Sequence, residues 1–196
     1  MNFFFKRKPD LKRNINFGSK IANLYFTNKL KVSKFYFEYG SGSSTLLASR
    51  FNKNFISIET SYNFYKKMRN NNKNLNIIYC SLGPTVDFSY PLFILEKKII
   101  NYVKSIDAFI RSKKNLDLIL IDGRFRNACC LNLLKFSKII HKKKIIIILD
   151  DYGDRSYYKI LKRYFHIHNI GRLGILKPKT KINLRINIKD YLKDPR

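Results

Sequence analysis

Apolar positions along this chain alternate between two rhythms. Five short apolar stretches, Phe35–Tyr39, Phe55–Glu59, Asn76–Cys80, Leu116–Ile121 and Lys144–Leu149, carry the β-branched and aromatic residues that suit strands. The run Ile145-Ile146-Ile147-Ile148-Leu149 has no polar alternation, which marks a central strand buried on both faces. Between the strands the period lengthens to that of a helix. Ile21, Leu24, Tyr25 and Leu30 predict a helix over Ser19–Lys31, and Ile99, Tyr102, Val103, Ile106 and Ile110 predict another over Ile99–Ser112. Further helices are expected after Ser43, over Tyr62–Asn70, Ala128–Ile140 and Ser156–Phe165. Asn70–Asn74 reads as a polar surface loop, and Gly83, Pro84 and Pro91 break regular structure across an insertion from Gly83 to Lys98.

Strand–helix alternation predicts an α/β fold: a doubly wound, mostly parallel sheet covered on both faces, three α/β/α layers in all. Crossovers between parallel neighbours should be right-handed. Two last extended segments, near His166–Ile170 and Ile182–Ile188, predict an antiparallel hairpin at one edge, joined through Gly171 and Gly174, for seven strands. No repeat or linker divides the chain, so residues 18–196 read as one Rossmann-like domain behind a basic arm, residues 1–17.

The most informative segment is Glu38-Tyr39-Gly40-Ser41-Gly42-Ser43-Ser44-Thr45, where a strand ends in a carboxylate, turns on two glycines and enters a helix. Glycine lets backbone approach a ligand closely, Ser43 or Ser44 suits an N-cap, and free amides at a helix start attract anions. The next strand ends in Glu59, which a doubly wound sheet would bring beside the glycine turn to accept bonds from ribose hydroxyls. These residues resemble the cofactor half of class I S-adenosylmethionine-dependent methyltransferases. A nicotinamide enzyme would show a third glycine where Thr45 stands. The resemblance implies that the turn passes under the methionine part of the cofactor and that the second-strand acid holds its ribose. It carries over to Glu38, Gly40, Gly42 and Glu59; Ser41 in the turn and Asp122 complete the candidate cofactor set. The family's acid after strand three is missing, since Ile77-Ile78-Tyr79 runs into Cys80-Ser81.

Ligands in such sheets bind beyond the carboxyl ends of the strands, where two acidic clusters fall. Strand four ends in Asp122-Gly123-Arg124-Phe125-Arg126 and strand five in Asp150-Asp151-Tyr152-Gly153-Asp154-Arg155. Three carboxylates so close would repel one another unless neutralised. Either they bind a hard divalent ion such as Mg²⁺, or Arg124, Arg126 and Arg155 pair with them. The pattern is similar to metal-dependent O-methyltransferases that act on sugars and small molecules, which implies Asp122, Asp150 and Asp151 as metal ligands. The close arginines favour the second arrangement. The D-G-R-F-R and D-D-Y-x-D-R strings also resemble a group of bacterial proteins regarded as candidate methyltransferases. Asp122, Asp151 and Arg124 are the candidate catalytic residues.

Composition narrows the remaining options. The chain has 196 residues, 45% hydrophobic and 15% aromatic, enough for one sizeable core. Its apolar runs are too short to span a membrane. Three cysteines, two of them adjacent at Cys129 and Cys130, offer neither a disulfide framework nor a zinc site, so a reducing cytoplasm is expected and the adjacent pair reads as packing. His166 and His168 share one face of a strand and read as surface residues. Forty basic against thirteen acidic residues give a formal charge of +27. Part of that excess matches the Lys, Asn, Ile, Phe and Tyr enrichment of A/T-rich codons; the shortage of acids does not.

These readings predict methyl transfer from S-adenosylmethionine to an oxygen of a small-molecule or glycan-like acceptor. Charge favours two alternatives, an RNA or DNA methyltransferase and a non-catalytic basic module that contacts nucleic acid or anionic lipid. Against the first, amino-directed nucleic-acid enzymes carry prolines after strand four, where this chain has Asp122-Gly123-Arg124-Phe125.

Overall fold

The computed structural model describes residues 14–51, 53–112, 115–180 and 188–196. Five strands run parallel: β1 (Phe35–Tyr39), β2 (Asn54–Glu59), β3 (Ile77–Tyr79), β4 (Leu116–Ile121) and β5 (Ile146–Leu149). A hairpin of β6 (Phe165–Ile170) and β7 (Leu173–Pro178) completes a seven-stranded sheet in the order β3-β2-β1-β4-β5-β7-β6. β7 inserts antiparallel between β5 and β6. The fold is therefore the doubly wound, mostly parallel α/β sheet expected.

Period-two geometry sends alternate strand residues to opposite faces. Tyr36, Leu118, Leu120 and Ile148 face one layer with Ala22, Phe26 and Leu30 of α1 (Lys20–Val32), Ala48 of α2 (Ser43–Arg50) and Met68 of α3 (Tyr62–Asn71). Phe37, Tyr39, Ile119, Ile121, Ile147 and Leu149 face the other. There they pack on α4 (Glu96–Val103), α5 (Asp107–Ser112), α6 (Arg126–Leu133) and α7 (Ser137–Lys143). Ser19 caps α1 by accepting the Ala22 amide at 3.2 Å.

Several boundaries differ from expectation. The helix predicted over Ile99–Ser112 is α4 and α5 joined by a 3₁₀ turn, and that over Ala128–Ile140 is α6 and α7 joined in the same way. Ser156–Arg163 is 3₁₀ rather than α-helical. The second hairpin strand is Leu173–Pro178; of the segment predicted at Ile182–Ile188, residues 182–187 lie outside the described residues and Ile188 begins a 3₁₀ turn. A short Gly171-Arg172 turn makes the nearer pairing the local one. Residues 1–13 of the expected arm also lie outside the described residues, but Phe17 is core, its ring 4.9 Å from that of Phe26. Cys129 and Cys130 are fully buried, as packing residues should be, and His166 and His168 are exposed.

At the amino end of the sheet, Asp117 ties β4 to β1. Its carboxylate accepts the Lys34 amide at 2.9 and 3.1 Å and the Phe35 amide at 3.3 Å, beside a register shift between Phe35 and Tyr36. Asp117→Ala leaves those amides to water and should cost about 1–2 kcal/mol. A shift in the urea midpoint at unchanged slope measures it.

Candidate functional site

At the carboxyl ends of β1 and β4 the chain turns twice at close quarters. Gly40 has φ +89°, and a Cβ there would lie 2.7 Å from the Asp122 carbonyl oxygen and 2.9 Å from the Gly123 Cα. A Cβ on Gly123 would meet the Tyr102 hydroxyl at 2.1 Å and the Gly40 nitrogen at 3.1 Å. The two turns thus pack backbone to backbone. Gly42 is different: a Cβ there meets nothing within 4 Å, so this glycine faces open space. Gly40 shapes the turn, and Gly42 leaves room in front of it.

Glu38 lies beneath the turn, fully buried. It accepts hydroxyl bonds from Tyr36 at 2.5 Å, from Ser44 at 2.6 Å and from Thr45. Thr45 also accepts the Gly42 amide at 2.9 Å. Ser44 and Thr45 therefore point inward to the carboxylate, and Gly42, with no side chain, stands at the N-cap of α2 where a serine was expected. Burial pushes the Glu38 carboxyl up, and the three hydroxyls hold it back. With both oxygens committed to the chain's own hydroxyls, Glu38 braces the turn from below.

Glu59 ends β2, buried beside the glycine turn. One oxygen accepts the Ser41 amide at 3.0 Å; the other accepts the Thr60 and Ser61 amides at 2.7 Å each and faces the Ser89 hydroxyl at 3.5 Å. The glycine turn and the second-strand acid are thus directly bonded, as the sequence predicts for neighbouring parallel strands. Burial raises the Glu59 carboxyl, against the pull of those amides. Ser89 comes from the insertion after β3, which nothing in the local sequence links to this acid. Ser41 also bonds Ser57 hydroxyl to hydroxyl at 2.7 Å.

Asp122, Asp150 and Asp151 gather at the ends of β4 and β5, with a ligand oxygen from each within 4.8 Å of the others. Three arginines neutralise them. Arg126, almost fully buried, bonds Asp122 at 2.9 Å and Asp151 at 3.0 Å, while its Nε donates to the Gly123 carbonyl at 2.9 Å. Arg155 reaches Asp151 at 2.7 Å. Arg172 grips both oxygens of Asp150 at 2.8 Å each and approaches Asp151 at 3.4 Å. Three negative charges face three positive ones, leaving no charge excess to draw in a divalent ion. These residues do not fit the predicted Mg²⁺ site: a metal would have to displace guanidinium groups from Asp150 and Asp151, whose oxygens are all engaged. Arg172 was not anticipated, because it lies on the hairpin turn, 22 residues beyond Asp150.

Within this cluster Asp122 stands apart. Arg126 holds its Oδ1, a third of the side chain is open to solvent, and among the described residues no donor bonds its Oδ2. Desolvation, opposed by Arg126 and reinforced by Asp150 and Asp151, pushes its carboxyl up to about 7. Water reaches its open side. Asp151, at φ +60°, has both oxygens engaged by arginines. Arg124 differs from its neighbours: it makes no ion pair among the described residues, and burial, with Arg126 nearby, lowers its guanidinium. Tyr152 is buried with its ring against Gly174, where it covers the strand end.

The geometry separates the two glycines and the two readings of the acids. Gly40→Ala should cost about 2–4 kcal/mol in thermal or urea unfolding, from strain at positive φ and the backbone clash. Gly42→Ala should stay within about 0.5 kcal/mol of the wild type. Asp150→Ala strands Arg172 and should destabilise the protein by about 3 kcal/mol. Millimolar Mg²⁺ should leave the wild-type melting temperature unchanged, whereas a metal site would raise it.

Comparison with protein-family models and with curated proteins finds no match. Among solved structures, the chain is similar to the crystal structure of a methyltransferase-like protein from Silicibacter pomeroyi DSS-3, with a TM-score of 0.71 and 22% identity over 93% of this chain and 99% of that one. At that identity the likeness is one of fold. This chain has a methyltransferase-like fold over nearly its whole length.

Proposed function

We propose that the protein transfers a methyl group from S-adenosylmethionine to an oxygen of a small-molecule or glycan-like acceptor. The observation that carries the reading is the bond from the Ser41 amide to Glu59, which joins the glycine turn of β1 to the acid of β2 above open space at Gly42. A nucleoside-bearing cofactor would lay its ribose on Glu59, and its hydroxyls would take the position now held weakly by Ser89. The methionine portion would run past Gly42. A sulfonium donor needs alignment more than activation, so the protein's contribution is to hold it and the acceptor at attack distance.

Asp122 is the candidate base. Its free Oδ2 and raised carboxyl suit removal of a hydroxyl proton near neutral pH. Asp151, committed to arginines, would position Arg126 and through it Asp122. Arg124, without an ion pair, would meet an anionic or polar group on the acceptor. Mg²⁺ has no part in this mechanism.

Two experiments test the reading. Calorimetry should detect S-adenosylmethionine binding to wild type. Gly42→Leu should lower that affinity by at least about tenfold with an unchanged melting temperature, since its side chain fills open space rather than packed backbone. Equal affinity in both proteins would remove the cofactor assignment. Glu59→Gln is a poorer probe, because an amide facing three backbone N–H groups should itself cost about 1–3 kcal/mol of fold stability. For the chemistry, Asp122 must be ionised to accept a proton, so turnover should rise with pH through an acid limb near 7. That limb should vanish in Asp122→Asn, with turnover lowered about 10²–10⁴-fold.

A further inference from the structure

The insertion between β3 and α4 is an ordered loop with its apolar side chains outward. Val86 donates to the Tyr90 carbonyl at 2.9 Å and Leu92 to that of Pro84 at 2.9 Å, closing a small hairpin about Thr85 and Pro91. At its tip Phe88 and Ser89 both sit at positive φ, +56° and +61°. Two consecutive non-glycine residues in that region are held there against a local cost. The strain has a visible result: Ser89 turns in toward Glu59 and is buried, and Phe88 turns out, 68% exposed. Val86, Tyr90, Leu92, Phe93 and Ile94 are exposed around it. Lys97 and Lys98 follow, both exposed, while Glu96 between them and the loop reaches Lys189 at 3.6 Å.

Charge on the rest of the molecule points the same way. The formal charge of +27 leaves the solvent-facing surface strongly positive. An apolar, aromatic-tipped projection beside exposed lysines on a polycationic body matches an anionic bilayer, with the apolar tip at the acyl boundary and the lysines among headgroups. Nucleic acid shares the charge, and the rings of Phe88, Tyr90 and Phe93 could stack on bases, but the exposed aliphatic side chains of Val86, Leu92 and Ile94 offer a base no stacking surface and gain only from burial in an apolar phase.

We propose that residues 84–98 form a docking element through which the protein binds the surface of an anionic membrane. This is independent of the chemistry at the cleft, although the inward contact of Ser89 with Glu59 sets that cleft beside the lipid.

Co-sedimentation of the full chain with vesicles tests it. Wild type should pellet with phosphatidylcholine vesicles containing about one-third phosphatidylglycerol, not with phosphatidylcholine alone, and less so as salt rises. The double variant Phe88→Ser, Phe93→Ser should partition at least about tenfold more weakly at an unchanged melting temperature, because both rings are exposed. Lys97→Gln with Lys98→Gln should weaken binding several-fold without abolishing it. Failure of wild type to pellet with the anionic vesicles overturns the proposal, as does equal pelleting of the phenylalanine variant. It is also overturned if the phenylalanines are needed to bind a single-stranded RNA while vesicles are ignored, or if wild type self-associates in sedimentation velocity and the variant does not.

Discussion

Everything at the carboxyl edge of the sheet depends on one backbone contact. Gly40 and Gly123 let the turns after β1 and β4 touch with no side chain between them. That approach brings the glycine turn against the Asp122 carbonyl, sets Asp122 within reach of Arg126, and holds Ser41 where its amide meets Glu59. A methyl group at either glycine would push the strand ends apart by more than hydrogen bonds at the site can follow. The tyrosine at position 102 closes the same contact from behind, its hydroxyl accepting the Arg124 amide at 3.2 Å.

The second organising fact is the division of charge. A chain this short of acids spends several of them indoors, each with dedicated donors: hydroxyls for Glu38, backbone amides for Glu59, guanidinium groups for Asp150 and Asp151. The donor type tracks the role. Hydroxyls seal Glu38 under the turn, and amides tie Glu59 to the turn from the neighbouring strand. Arginines cancel a concentration of charge that would otherwise call for a metal. Of the acids at this edge, Glu38, Glu59, Asp122, Asp150 and Asp151, only Asp122 keeps an oxygen with no donor among the described residues, which is why the proton chemistry is proposed for it.

Much of this was legible in the sequence. Unbroken apolar runs such as Ile145–Leu149 announced parallel, doubly covered strands, and neighbouring strands were expected to bring Glu59 beside Gly40-Ser41-Gly42, where it lies. The clustering of Asp122, Asp150 and Asp151 followed from strand order alone. What escaped was whatever depends on long-range packing. Gly123 looks like an ordinary turn residue until Gly40 is seen against it. Ser44 looks like a helix cap because local spacing cannot reveal a buried carboxylate under it. Arg172 belongs to a hairpin whose second strand was expected ten residues later, so its grip on Asp150 was out of sight. The insertion's apolar residues read equally well as a cleft wall until their exposure is known.

The position of Arg172 has a consequence for the order in which the molecule assembles. Every hydrogen-bond donor to Glu38 and Glu59 precedes residue 90, so the glycine turn lacks only β4 and Gly123 to complete it. Asp150 must wait for the later β6–β7 hairpin, whose second strand lies between β5 and β6. During synthesis from the amino end, the acid pair at the end of β5 emerges before its chief neutralising group. Until then β5 is an open sheet edge tipped with unbalanced charge. That repulsion makes the edge a poor template for a second chain, and it disappears only when the hairpin docks.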